Sequence, residues 1–242
     1  MAGVRRPELG LSPASAPRST VVTFDLFSSL VDSRSGGSAV FDGWALERGW
    51  PVPGEAVYDG WDRANKGQQR RCATWEPYRV LSTRALSEAY HTLGLDVARA
   101  AADAVALEES MASWPLWPDV EVFLSAPHPF ACGILSNVDE ALFDVTPVAP
   151  LVDRSLVLTS ELLGAYKPSP ELYGRAAERT PDWVHVASSA RDVRGALEAG
   201  VRTVRLARPG HLVDADGPAP AVTVDNLDAI DEAVLRVPPR RA

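Results

Sequence analysis

Cysteine is scarce in this chain. Its 242 residues hold only Cys72 and Cys132, far apart and at no metal-ligand spacing, so neither a disulfide framework nor a cysteine metal site is expected and a reducing, cytoplasmic compartment fits. Long apolar runs are missing too, none approaching the roughly 20 residues of a membrane span. Positive charge is in deficit: 24 Lys and Arg face 32 Asp and Glu, a net charge of −8. That balance argues against nucleic-acid or anionic-membrane partners and obliges any anionic substrate to find a local positive pocket. There are no internal repeats. Residues 1–18 place Arg5, Arg6 and Arg18 among Pro, Ser and Ala without an apolar signal core, and are expected to be a disordered leader. What is present suffices for a packed core: 46% of the residues are hydrophobic, and the length suits one sizeable domain, or a core of roughly 150 residues carrying an insertion.

The organising stretch is Val21-Val22-Thr23-Phe24-Asp25-Leu26-Phe27-Ser28-Ser29. Its β-branched, apolar run predicts a buried strand that delivers Asp25 to its carboxyl end, where ligands bind in open α/β sheets. A carboxylate there can attack an electrophile, bind a metal or cap the next turn. The polar segment 32–38, with Gly36-Gly37, reads as a loop leaving the sheet. From Val40 to Ser113 the spacing is helical, with Tyr78, Leu81, Ala85, Tyr90 and Leu93 sharing much of one face, and three to five helices are expected. The rigid segment Trp114-Pro115-Leu116-Trp117-Pro118-Asp119 marks the return to the sheet. Beyond it, strands near 130–135, 155–158, 184–187 and 203–206 alternate with helices near 139–143, 170–178, 191–199 and 226–235. Such alternation implies a parallel sheet with right-handed crossovers. Residues 236–242 are expected to be a frayed tail.

Three more stretches end apolar runs in polar groups. Ser136 and Asn137 follow one run and can offer a hydroxyl and an amide to an anion, or cap a helix. Lys167, held by Pro168 and Pro170, sits on a stiffened turn; its ammonium can keep Asp25 ionised and neutralise a substrate anion. Tyr173 reads as a core tyrosine of the following helix. In Ala187-Ser188-Ser189-Ala190-Arg191-Asp192 a strand hands over to a helix, and Asp192 can orient Lys167, hold a cation or complement the helix dipole.

In this order the four stretches resemble the haloacid dehalogenase (HAD) superfamily of hydrolases over essentially residues 19–235, with Asp25, Ser136, Lys167 and Asp192 at the family's motif positions. The resemblance implies an α/β fold with a Rossmann-like parallel sheet, formed by 19–33 and 115–235, and a helical cap at 34–114. It further implies an aspartate nucleophile that forms a covalent ester. Phosphatases of the family carry a second Asp two positions after the nucleophile, where this chain has Phe27, and an acid in the fourth motif where it has Ser188. The pattern is more similar to the 2-haloacid dehalogenase branch, in which a halide leaves without a proton and no metal is needed. Two positions depart from that branch, Ser29 in place of Thr and Ser189 in place of Asn.

The expected site therefore comprises Asp25, Lys167, Ser136 and Asp192, with Phe27, Ser28, Ser29, Asn137, Ser188 and Ser189 around a small anionic substrate. The family's halide-receiving cap arginine is sought among Arg63, Arg70 and Arg71, with Arg63 and Arg71 preferred. Trp61, Trp75 and Tyr78 are cap residues placed to select the substrate. No cofactor is expected in this reading, and the chain is expected to be a monomer or homodimer. The alternatives are a Mg²⁺-dependent phosphate monoesterase, its ion on Asp25, the Phe27 carbonyl and Asp192, and a catalytically impaired binding protein of the same fold.

Overall fold

The first strand, β1 (Val21–Phe24), lies in the middle of a six-stranded sheet, and the computed structural model describes residues 20–238 around it. The other strands are β2 (Ala131–Ser136), β3 (Val157–Thr159), β4 (Trp183–Ala187), β5 (Thr203–Leu206) and β6 (Val222–Val224). Their order is β3-β2-β1-β4-β5-β6 and every pairing is parallel. From β1 the chain steps out to β2 and β3 on one side and then crosses to β4, β5 and β6 on the other, so β2 and β4 flank β1 in register, Phe24 lying opposite both Ile134 and Val186. Such a reversal opens a crevice at the carboxyl ends of the strands. Val22, Phe24, Ile134, Val184 and Val186 are fully buried, as expected of strands covered on both faces.

Between β1 and β2 the chain forms α1 (Ser33–Arg48), α2 (Gly54–Arg71), α3 (Tyr78–Leu93) and α4 (Ala100–Ser110), then α5 (Val120–Ser125). The segment read as a loop, 32–38, is instead the first turns of α1, capped by Asp32, whose side chain accepts from the Ser35 N–H at 3.2 Å. Its two glycines serve packing. A Cβ on Gly36 would lie 2.5 Å from Trp114, and one on Gly37 would lie 2.4 Å from Tyr58, so the helix accepts their low propensity in exchange for close contact with two aromatic rings.

Entry to the helical unit and exit from it lie side by side. The Asp32 N–H donates to the Pro115 carbonyl at 2.8 Å, and the Trp117 N–H donates to the Leu30 carbonyl at 3.0 Å. The helices are thereby held over the carboxyl ends of the strands.

The remaining helices are α6 (Glu140–Asp144), α7 (Ser160–Leu163), α8 (Pro170–Arg179), α9 (Ala190–Glu198) and α10 (Ile230–Arg236). Side chains cap several of them: Thr159 accepts from the Leu162 N–H, Ser169 from Glu171 and Ser189 from Asp192, each satisfying a donor that the first helical turn leaves free. The last strand, β6, and the short α7 lie outside the elements expected from sequence. At the carboxyl end, Arg236 closes α10 and Val237 is buried, so ordered structure extends past the expected start of the tail. The expected leader at 1–18 lies outside the described residues, as do residues 239–242. Among the described residues no helix is long and apolar enough to cross a membrane.

Candidate active site

Asp25 leaves β1 at the floor of a cavity of about 250 Å³. Its backbone N–H donates to the Val186 carbonyl at 2.9 Å, which ties the residue to β4. The chain then reverses through Ser28, whose φ of +69° places a non-glycine residue in the left-handed region. That conformation costs on the order of 1 kcal/mol and lets the Ser28 N–H reach the Val31 carbonyl at 3.0 Å. Arg208, beyond β5, holds the same turn from outside: its Nε donates to the Ser29 carbonyl at 3.0 Å while its terminal nitrogens grip Asp119.

Lys167 is 2% exposed, and its Nζ donates to three oxygens: Asp25 Oδ1 at 2.7 Å, Asp192 Oδ2 at 2.6 Å and the Leu135 carbonyl at 2.8 Å. An ammonium has three N–H bonds, and all are used. Asn137 fixes the lysine's backbone from both sides, accepting from its N–H at 2.7 Å and donating to its carbonyl at 3.0 Å. Pro168 packs against α9, where a Cβ on Gly195 would lie 2.6 Å from the proline Cβ.

Asp192 is saturated. Oδ1 accepts from the Tyr173 hydroxyl at 2.7 Å; Oδ2 accepts from Lys167 and, at 3.1 Å, from His185 Nε2. Asp25 is not: among the described residues Oδ2 has no partner nearer than Ser28 Oγ at 3.5 Å. Burial pushes the Asp25 carboxyl above the ordinary carboxylate range, with Lys167 opposing it. Burial acts the same way on Asp192, but Lys167 and His185 outweigh it and hold that carboxyl far below the usual range. For Lys167, burial works against the ammonium while Asp192 and Asp25 prevail and raise its pKa. The two carboxylates are thus unequal: one is locked to the lysine, the other keeps an open oxygen.

The cavity brings together Asp25, Phe27, Ser28, Ser136, Asn137, Lys167, Ser189 and Asp192 among the residues expected from sequence. Ser29 and Ser188 do not reach it; both are fully buried and bond to each other through their hydroxyls at 3.0 Å. Expected to touch substrate, they instead staple the loop after β1 to the loop after β4. Arg63 and Arg71 are also corrected: both are exposed, as is Arg70, and none lines the cavity. The cavity face of α2 is Tyr58, Asp59, Trp61, Asp62, Asn65, Lys66 and Gln69, a run at helical spacing. Arg63 lies two residues past Trp61, about 200° around the helix. Trp75 also misses the cavity, whereas Trp61 and Tyr78 line it.

Among the residues near the site that went unrecognised in the sequence, four hold its parts in place. His185 stands in an apolar strand beneath Asp192, and a lone histidine in such a run carries little signal. Arg208 anchors the first loop from far along the chain. Gln69 reaches down from α2 to accept from Asn137 Nδ2 at 2.9 Å and from Arg191 at 3.0 Å. Arg191 stands beside Asp192 in the fourth stretch, where its neighbour drew the attention.

No family model and no curated protein sequence matches the chain. Solved structures do. The L-2-haloacid dehalogenase from Xanthobacter autotrophicus, with chloropropionic acid covalently bound, aligns with a TM-score of 0.74 at 20% identity, covering 90% of this chain and 99% of that one. A defluorinating L-2-haloacid dehalogenase aligns with a TM-score of 0.73 at 20% identity over 93% and 97% of the two chains. A 2-haloacid dehalogenase from Pseudomonas syringae pv. Tomato gives 0.59 at 24% identity over 90% and 99%. With its six-stranded parallel sheet and its four-helix unit inserted after β1, this chain has the fold of the L-2-haloacid dehalogenases.

Proposed function

We propose that this protein is a hydrolase in which Asp25 displaces a leaving group, most simply a halide, from an electrophilic carbon of a small anionic substrate. The observation that carries the reading is the asymmetry at Lys167: Asp192 spends both oxygens on donors, while Asp25 keeps Oδ2 open toward the cavity. In the first step Oδ2 forms a bond to the carbon, and the carbon–halogen bond breaks with its electron pair leaving on the halide. In the second, water adds to the Asp25 carboxyl carbon. The ester then collapses to release the alcohol and restore the carboxylate, with one proton passing to solvent. Lys167 stays on Oδ1 throughout, where negative charge develops during the attack of water.

Phe27 supports carbon chemistry. It lines the cavity and packs edge-on against Trp114 at 5.7 Å, so the position two after Asp25 offers no carboxyl to protonate a departing alkoxide. The donor set does not suit Mg²⁺ either. The Lys167 ammonium already occupies the space between the carboxylates of Asp25 and Asp192. Both Asp192 oxygens are committed, and the Phe27 carbonyl accepts the Ser28 hydroxyl. A hard cation needs about six oxygen ligands, and the fourth-motif position that could add one holds a buried serine, Ser188.

The test is a panel of 2-haloacids and phosphate monoesters, each assayed with and without EDTA. Chelator-insensitive halide release is expected. Phosphate release that requires Mg²⁺, without halide release, overturns the reading.

A further inference from the structure

Among the described residues four cationic side chains line the cavity: Arg34, Lys66, Lys167 and Arg191. Three have carboxylate partners. Arg34 pairs with Asp59 and Glu55, Lys66 with Asp62, and Lys167 with Asp25 and Asp192. Arg191 has none among the described residues. Its terminal nitrogens donate to neutral acceptors on α2, the Lys66 carbonyl at 3.3 Å and Gln69 Oε1 at 3.0 Å, and its Nε has no partner. A guanidinium carries five N–H donors, so three remain unused. A largely buried charge in this condition is costly unless a counter-ion arrives.

The charge pattern also fixes an orientation. Lys167 balances only one of the two carboxylates beside it, so an anion approaching the cavity floor meets net negative charge. An anionic substrate must keep its charged end away from that floor while presenting its reactive carbon to it. His211, on the cavity wall, supplies no counter-charge at neutral pH because burial pushes its imidazole toward the neutral form. Arg191 is rigidly placed for the task. It lies in the first turn of α9, next to Asp192, and is clamped to α2 at its far end.

We infer that Arg191 determines specificity by receiving the carboxylate of a small monoanionic substrate, which aims the electrophilic carbon at Asp25 Oδ2. This rests on the proposed role of Asp25. One cation without a carboxylate partner matches a carboxylate better than a phosphate dianion, and the planar fork suits two parallel hydrogen bonds to carboxyl oxygens.

Calorimetric binding to an Asp25→Asn background, which cannot turn over, tests it with three probes: 2-chloropropionate, the neutral 2-chloropropionamide and inorganic phosphate. The carboxylate is expected to bind at least about tenfold more tightly than the amide or phosphate. Adding Arg191→Gln should weaken the carboxylate by about 10- to 100-fold and leave the amide unchanged, while Arg191→Lys, which keeps the charge without the fork, should fall between. Equal binding of acid and amide, preference for phosphate, no binding of the acid, or indifference to Arg191→Gln each overturns the inference. The acid-versus-amide comparison needs no change at Arg191, so it decides even if a variant folds poorly. Because no turnover is read, Arg191-dependent binding without halide release in the unmodified protein would refute the chemistry at Asp25 and leave the anion seat standing.

Discussion

Replacing Lys167 by methionine keeps the buried stem and removes only the ammonium, so its cost measures what that charge does. At 2.7 and 2.6 Å from two carboxylate oxygens, the gross attraction is about 6 kcal/mol per pair at an effective dielectric of 20. Most of that is offset by desolvation of the three charges, so the gross figure is not the expected loss. A better bound comes from the escape route open to the variant. Two buried carboxylates left without a cation relieve their repulsion if one binds a proton, and Asp25 is the one already pushed upward by burial. Holding a proton at pH 7 on an aspartate that ionises near 3.9 when unfolded costs about 4 kcal/mol, and at pH 5 about 1.5 kcal/mol.

The sign follows from proton counting. The folded variant binds one more proton than its unfolded chain, so its stability falls as pH rises, by about 1.4 kcal/mol per unit. Urea unfolding of both proteins at pH 5, 6 and 7 should show the penalty growing from about 1.5 to about 4 kcal/mol. A penalty under about 1 kcal/mol, or one independent of pH, would mean that Lys167 does not hold two charged carboxylates.

The lysine's placement can be tested through its neighbour. Gly195→Ala sets a Cβ 2.6 Å from the Pro168 Cβ and 3.1 Å from the Tyr173 hydroxyl; a loss of about 1–3 kcal/mol in stability is expected, with a lower kcat because the turn carrying Lys167 must shift. A pH profile of kcat/KM should show an acid limb lying above the ordinary aspartate range near 4, because the proposed attack needs Asp25 ionised and burial raises its pKa. Activity that persists unchanged to about pH 4 would exclude Asp25 as the ionised attacker.

The sheet and its loops were legible because they follow from local pattern. β-branched runs mark strands buried on both faces, and a polar residue closing such a run sits at the mouth of the crevice. Asp25 and Ser136 were read that way, Lys167 from the prolines that stiffen its turn and Asp192 from the handover of strand to helix, and all four line the cavity. The cap was legible as helical but not as a surface. Which side of α2 faces the cavity is fixed by packing against α1 and α3. That packing buries Tyr58, Trp61 and Asn65 and turns Arg63 outward. The same run of apolar positions, extended by four residues to Asn65 and Gln69, held the information; polar residues on a buried face mask it. Gly36-Gly37 misled for a related reason, since a glycine pair breaks a helix in isolation yet permits one where two rings press against it. The meeting of Ser29 with Ser188 is a contact across 159 positions, and no local pattern encodes it.

The most direct test of the ester on Asp25 is a single turnover with 2-chloropropionate in ¹⁸O-labelled water, with enzyme in excess, followed by mass spectrometry of the peptide containing Asp25. Water that attacks the ester's carboxyl carbon leaves its oxygen in the enzyme, so the account predicts label on Asp25 and unlabelled hydroxy acid in the first turnover. Label appearing in the product, with none on Asp25, would mean that water displaces the halide directly.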